Sequence, residues 1–137
     1  IAGGSYNTAS GGSFIGGGAL NQMTVPAKTL SVIVGGCRNT TNQGTAFIGG
    51  GLGNQVSGSC SGILAGKQNQ VLNTHNNSFI IGSNVTSSAS CTTFVNNFTV
   101  SGSAASTILI FKDLPTSDPG VAGQVWRSGN DLKISTG

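Results

Sequence analysis

One phrase returns along this chain at short intervals. Residues 14–21 read Phe-Ile-Gly-Gly-Gly-Ala-Leu-Asn, and residues 47–54 read Phe-Ile-Gly-Gly-Gly-Leu-Gly-Asn. Weaker copies end at Asn7, Asn39, Asn69 and Asn84, so the Asn anchors stand 14, 18, 15, 15 and 15 residues apart. A fixed short period marks an architecture of stacked coils. A period near 15 leaves room for two short strands and two turns per coil. The expected fold is all-β: a parallel β-roll, or β-solenoid, of coils about 15 residues long.

Aligning the copies on the Asn gives each column a physical meaning. Six positions before it stand Ile1, Ile15, Ile33, Ile48 and Ile63. Two positions after it stand Ala9, Met23, Thr41, Val56, Val71 and Thr86. Coils stack about 4.8 Å apart, the spacing of neighbouring strands, so equivalent residues lie over one another. The Ile column then forms an apolar spine. Pairs such as Gly17-Gly18 and Gly50-Gly51 turn the chain where a Cβ would clash or φ must be positive. The Asn is expected in a left-handed turn position, its stacked amides bonding up and down the column. The residues just before it vary freely, as a surface position would. Strands are expected near 13–16, 31–35, 46–49, 61–65 and 78–82. The 18-residue interval contains Pro26, which cannot donate to a ladder, so an insertion there bulges out. The last copy, Phe79 to Asn84, is two residues short.

Such a thin coil has few inward side chains, and small cores are marginal alone. Self-association follows, with a closed ring of identical chains as the expected form. Charged residues are only 7% of the chain, and 23 residues are Gly. This could mean disorder, but disordered chains lack regular apolar columns. The net charge of +3 comes from scattered cations with no basic stripe, so nucleic acid is not an expected partner. No apolar run approaches the roughly 20 residues that span a bilayer, so no membrane insertion is expected. The chain opens in mid-repeat at Ile1, which reads as a fragment of something longer. Cys37, Cys60 and Cys91 fit no metal or redox spacing and read as small buried thiols.

Three regions are expected. Residues 1–84 are the repeat region. Residues 85–111 connect, opening with a polar join over 85–93 where the period stops, then strands at 94–101 and 107–111. Residues 112–137 hold all three acids, Asp113, Asp118 and Asp131, and the only Trp. Here Gln124–Arg127 and Asp131–Ser135 flank Ser128-Gly129-Asn130, which reads as a hairpin with Trp126 packed in its core. This module would cap the exposed edge of the roll.

The repeats, with residues 7–18 (Asn-Thr-Ala-Ser-Gly-Gly-Ser-Phe-Ile-Gly-Gly-Gly) as the cleanest copy, resemble the head repeats of trimeric adhesins and of phage and large-virus fibre proteins. The tail from Leu114 to Trp126, with Leu132-Lys133-Ile134-Ser135, resembles the C-terminal segment of phage structural and fibre proteins, and Phe94 to Gly102 the strand that often precedes it. The resemblance implies left-handed parallel rolls, three chains to a spike, and a place on the virion surface or otherwise outside the cell. It implies other virion proteins as partners, and a host surface glycan or protein if the fibre attaches.

The chemistry of an enzyme is not apparent. Residues 1–111 contain no Asp or Glu, which removes a carboxylate pair for glycan hydrolysis on the roll and the Asp-bearing calcium repeats. His75, the only histidine, reads as a solvated loop residue without a metal cluster around it. No Gly-Lys-Ser/Thr phosphate loop follows the glycine runs. Four Asn-x-Ser/Thr sequons, at Asn39, Asn76, Asn84 and Asn97, are accounted for by composition. No catalytic, cofactor-binding or metal-binding residue is expected. The expected function is a homotrimeric virion fibre or appendage. The alternative is a bacterial adhesin head binding a host glycan or protein. Ice binding lacks a regular Thr-x-Thr column.

Overall fold

The computed structural model describes residues 1–24, 30–101 and 110–137. The expected bulge at Pro26 and the segment 107–109 of the expected strand lie outside these residues. Two compact units divide the chain, Ile1–Phe98 and Thr99–Gly137.

The first unit is a parallel β-solenoid of about five coils roughly 15 residues apart. Four coils contribute one very short strand to each of two sheets, and the last turns contribute to the first sheet alone. The first sheet stacks β1 (Phe14–Ile15), β3 (Val32–Ile33), β5 (Phe47–Ile48), β7 (Gly62–Ile63), β9 (Phe79–Ile81) and β10 (Thr93–Val95), all parallel. The second stacks β2 (Gln22–Met23), β4 (Thr40–Thr41), β6 (Gln55–Val56) and β8 (Gln70–Val71). A third line of single-residue bridges, Ser5–Ala19–Cys37–Leu52–Lys67, runs between them in chain order. The register lays isoleucine on isoleucine: Ile15, Ile33, Ile48, Ile63 and Ile80 are all fully buried. Met23, Thr41, Val56 and Val71 form the second buried column. Thr41 Oγ1 has no hydrogen-bond partner there.

The Gly pair divides its work. At Gly51, φ is +98° and an added Cβ would lie 1.9 Å from the Gly66 carbonyl oxygen, so the coils approach too closely for any side chain. Gly50, the first of the pair, has nothing within 4 Å of its Cβ direction. This explains why Ala65 is tolerated in the equivalent place while Gly66 is not replaced.

The roll continues past residue 84, which corrects the expected polar join. Gln70 bridges Thr86, Ser87 N–H donates to the Gln70 carbonyl, and β10 pairs with β9. The expected strand at 94–101 is thus only Thr93–Val95, and it belongs to the roll. Phe94 stands over Ile80 and packs against the core. Ile110 and Phe111 are not in a strand.

The second unit contains an antiparallel hairpin, β11 (Val125–Ser128) with β12 (Asp131–Ile134). Ser128 pairs with Asp131, so the turn is the two residues Gly129-Asn130, one fewer than expected. Glycine comes first and has φ +61°, the placement a type II′ turn prefers.

Candidate functional site

The candidate sites are the long faces of the roll, and two internal ladders hold those faces in register.

The first ladder is asparagine. Asn54 Nδ2 donates to the Gly50 carbonyl at 3.0 Å, to the Gly66 carbonyl at 2.9 Å and to Asn39 Oδ1 at 3.1 Å. Its own Oδ1 accepts from Asn69 N at 3.0 Å and Nδ2 at 3.1 Å. Asn21 and Asn39 repeat most of this pattern, and all four of Asn21, Asn39, Asn54 and Asn69 are buried. A buried amide is stable only when paired, and here the pairing links each coil to the next. Asn7 begins the ladder half-buried, accepting from Asn21 through Oδ1. Ile1 stands at the open end of the stack, 60% exposed, rather than in the buried spine.

Asn84 is not a rung. The next rung position is Val85, whose N–H donates to Asn69 Oδ1 at 3.1 Å across 16 residues rather than 15. Valine has no oxygen to pass on, so the ladder ends. Asn84 instead has φ +58°, equivalent to Tyr6, Leu20, Arg38 and Gln68, which all have φ between +53° and +58°. The left-handed position therefore precedes the Asn rather than falling on it. For the same reason the second column ends on buried Ser87, not Thr86.

The second ladder, at the other turn, was missed in the sequence. Ser31 N–H donates to Ser13 Oγ, Ala46 N–H to Ser31 Oγ, and Ser78 N–H to Ser61 Oγ. The signal was available: a small residue, usually Ser, stands two positions before each buried Ile. His75 lies in this region. It is half-buried rather than solvated, with Nδ1 2.8 Å from Ser87 Oγ. Cys60 and Cys91 are exposed and Cys37 half-buried, all free, in place of the expected buried thiols. Among the described residues no group of His, Cys, Asp or Glu could hold a metal ion, and no helix could cross a membrane.

Three outward faces remain. The first sheet presents Phe14, Phe47 and Phe79, 48%, 38% and 47% exposed, beside Val34, Leu64 and Ile81. Phe47, Leu64, Phe79 and Ile81 line an apolar groove of about 350 Å³. Beyond the Gly corner, the bridge line and its left-handed neighbours present exposed Tyr6, Leu20 and Leu52 with Arg38 and Lys67. The second sheet presents polar, uncharged Gln22, Thr40, Gln55 and Gln70. In the terminal unit, Trp126 is half-buried and its Nε1 lacks a partner, while Val121, Leu132 and Ile134 are exposed.

No protein-family model, curated protein or solved structure matches this chain.

Proposed function

We propose that this chain is a structural protein of a virion fibre or appendage, working as a homotrimer on the virion surface, outside the cell. The observation that carries the reading is the distribution of apolar side chains around the coil. Interior hydrogen bonding is nearly complete, yet one outward face is apolar and a second exposes Tyr6, Leu20 and Leu52 between Arg38 and Lys67. A face of half-exposed aromatics on a monomer is a contact surface awaiting its partner.

The arrangement also favours a ring over a pair. A two-fold dimer joins one patch to itself, whereas a cyclic trimer joins two different patches. The Phe14–Phe47–Phe79 face and the Tyr6–Leu20–Leu52 face follow one another around a coil with the Gly corner between them. Each repeats along the stack at the coil spacing. Packing one against the other on the next chain would bury both and leave the Gln/Thr face outward. The resemblance of the repeats and the tail segment to fibre proteins supports a virion setting, with other virion proteins as neighbours.

Native mass measurement tests this. The expected species is three times the 13.6 kDa chain mass. Phe47→Glu and Leu52→Glu, on different faces, are each expected to release monomers, since both patches are needed. A monomeric wild type sinks the trimer. A dimer that resists Leu52→Glu sinks the two-patch geometry. Mass spectrometry of purified particles tests the virion assignment. A second reading, an adhesin head that binds a host surface glycan or protein, is favoured by a polar notch on the third face.

A further inference from the structure

The third face is not flat. Three positions after each Asn come Asn42, Ser57 and Leu72 on successive coils, and one position later Gln43, Gly58 and Asn73. Both columns run long, short, long. The short middle coil leaves a notch of about 230 Å³, lined by Asn42, Gln43, Ser57, Gln70, Leu72 and Asn73. Its walls stand two coil spacings apart, about 10 Å. Gly58, next to Ser57, cannot carry a side chain: a Cβ there would lie 2.0 Å from the His75 carbonyl oxygen.

We infer that this notch binds a neutral saccharide unit, the attachment chemistry of the second reading above, on which it rests. Four amides and a hydroxyl converge, each amide offering two donors and an acceptor. Gln70 is already oriented, its Nε2 donating to Gln55 Oε1 at 3.2 Å, which leaves Oε1 and one amide hydrogen for a ligand. Gln55 Nε2 in turn donates to Ser57 Oγ at 3.3 Å. Leu72 supplies an apolar patch for the C–H face of a ring. No charged residue lines the notch, and residues 1–111 hold no carboxylate. Recognition therefore rests on hydrogen bonds to hydroxyls rather than on charge. The volume lies below the roughly 300 Å³ at which pockets for drug-sized ligands begin, which suits one sugar ring of a longer glycan.

The test uses the intact chain on an array of neutral, sialylated and sulfated glycans, then titration with the best neutral oligosaccharide. At least one neutral glycan is expected to be retained. Asn73→Ala and Gln70→Ala are each expected to weaken it roughly tenfold, the scale of one or two lost hydrogen bonds, with mass and melting temperature unchanged. Asn73 is exposed and outside the sheet, so its variant carries the test if Gln70→Ala disturbs the Gln ladder. Retention of anionic glycans only, neutral binding unmoved by both variants, or no glycan retained at all overturns the inference. All six residues belong to one chain, so a monomeric wild type would end the trimer proposal and leave this one standing.

Discussion

The roll and the terminal unit are both built of short strands, but they are stabilised differently. In the roll, five successive coils bury an Ile, four bury an Asn, and each buried amide is paired with the coils on either side. Among the described residues of the terminal unit, Ser135 alone is buried. A two-stranded hairpin by itself is marginal in water. A periodic sequence thus converts a narrow cross-section into stability by repetition along the axis. A single hairpin has no axis to repeat along and depends on local contacts.

The sharpest way to break this comparison is through glycine. Gly51→Ala places a methyl group on the Gly66 carbonyl oxygen at a φ of +98°, and the backbone of neither coil can give way without losing the ladder. The cost is expected to exceed the roughly 4–5 kcal/mol that single substitutions seldom pass, with loss of the β signal in far-ultraviolet circular dichroism. Gly120→Ala in the terminal unit also meets a positive φ, +67°, but has nothing within 4 Å. It should cost only the backbone strain, about 1–2 kcal/mol. Equal effects would mean that coil contact does not set the stability of the roll.

The asparagines sharpen the same point on a smaller scale. Asn54→Ala strands the N–H of Asn69 and takes the side-chain donor from the Gly50 carbonyl, while Asn39 Oδ1 keeps the backbone N–H of residue 54. It is expected to cost about 2–5 kcal/mol, the sum of two unpaired groups. Asn84→Ala removes no rung. It should cost about 1 kcal/mol, the preference of Asn over Ala at a left-handed position. Urea midpoints at constant slope measure both. A larger loss at Asn84 than at Asn54 would show that the ladder register is misplaced by one residue.

That one-residue offset shows what the sequence made legible. The buried isoleucines at 15, 33, 48 and 63 were readable because a buried column tolerates little variation and repeats at the coil period. The last coil was misread because Asn84 supplies the expected letter one position early. Only the hydrogen bond from Val85 to Asn69 shows which residue stands on the stack. The serine ladder was overlooked because Ser is common throughout this chain, so a column of serines does not stand out from composition. The notch was illegible for a different reason. It depends on differences between successive coils, and a reading that searches for what repeats discards them. The outward apolar faces lay between these cases: the variable residues before each Asn pointed to the surface, but not to which side.

The smallest expected effect separates the two regions by acid. The roll contains no Asp or Glu, so no carboxylate there is protonated as the pH falls below about 4. In the terminal unit, Asp118 Oδ1 accepts a 2.5 Å hydrogen bond from Ser135 Oγ and a 2.9 Å bond from Gly120 N–H. These bonds favour the charged form and hold its carboxyl below the usual carboxylate value, the Ser135 bond contributing most and desolvation opposing weakly. A carboxylate whose folded value is depressed stabilises the fold fully above its unfolded value, near pH 4. That contribution is lost as the pH falls through the lower folded value. Amide signals of Gly120 and Ser135 are therefore expected to shift below about pH 4, while those of Asn39, Asn54 and Asn69 hold still. Asp118→Asn should flatten the acid response of Gly120 and Ser135, the residues bonded to that carboxylate, and leave the roll unchanged. Ladder amides that move together with Gly120 would show that the two units share one acid-sensitive equilibrium, and the contrast between them would then fail.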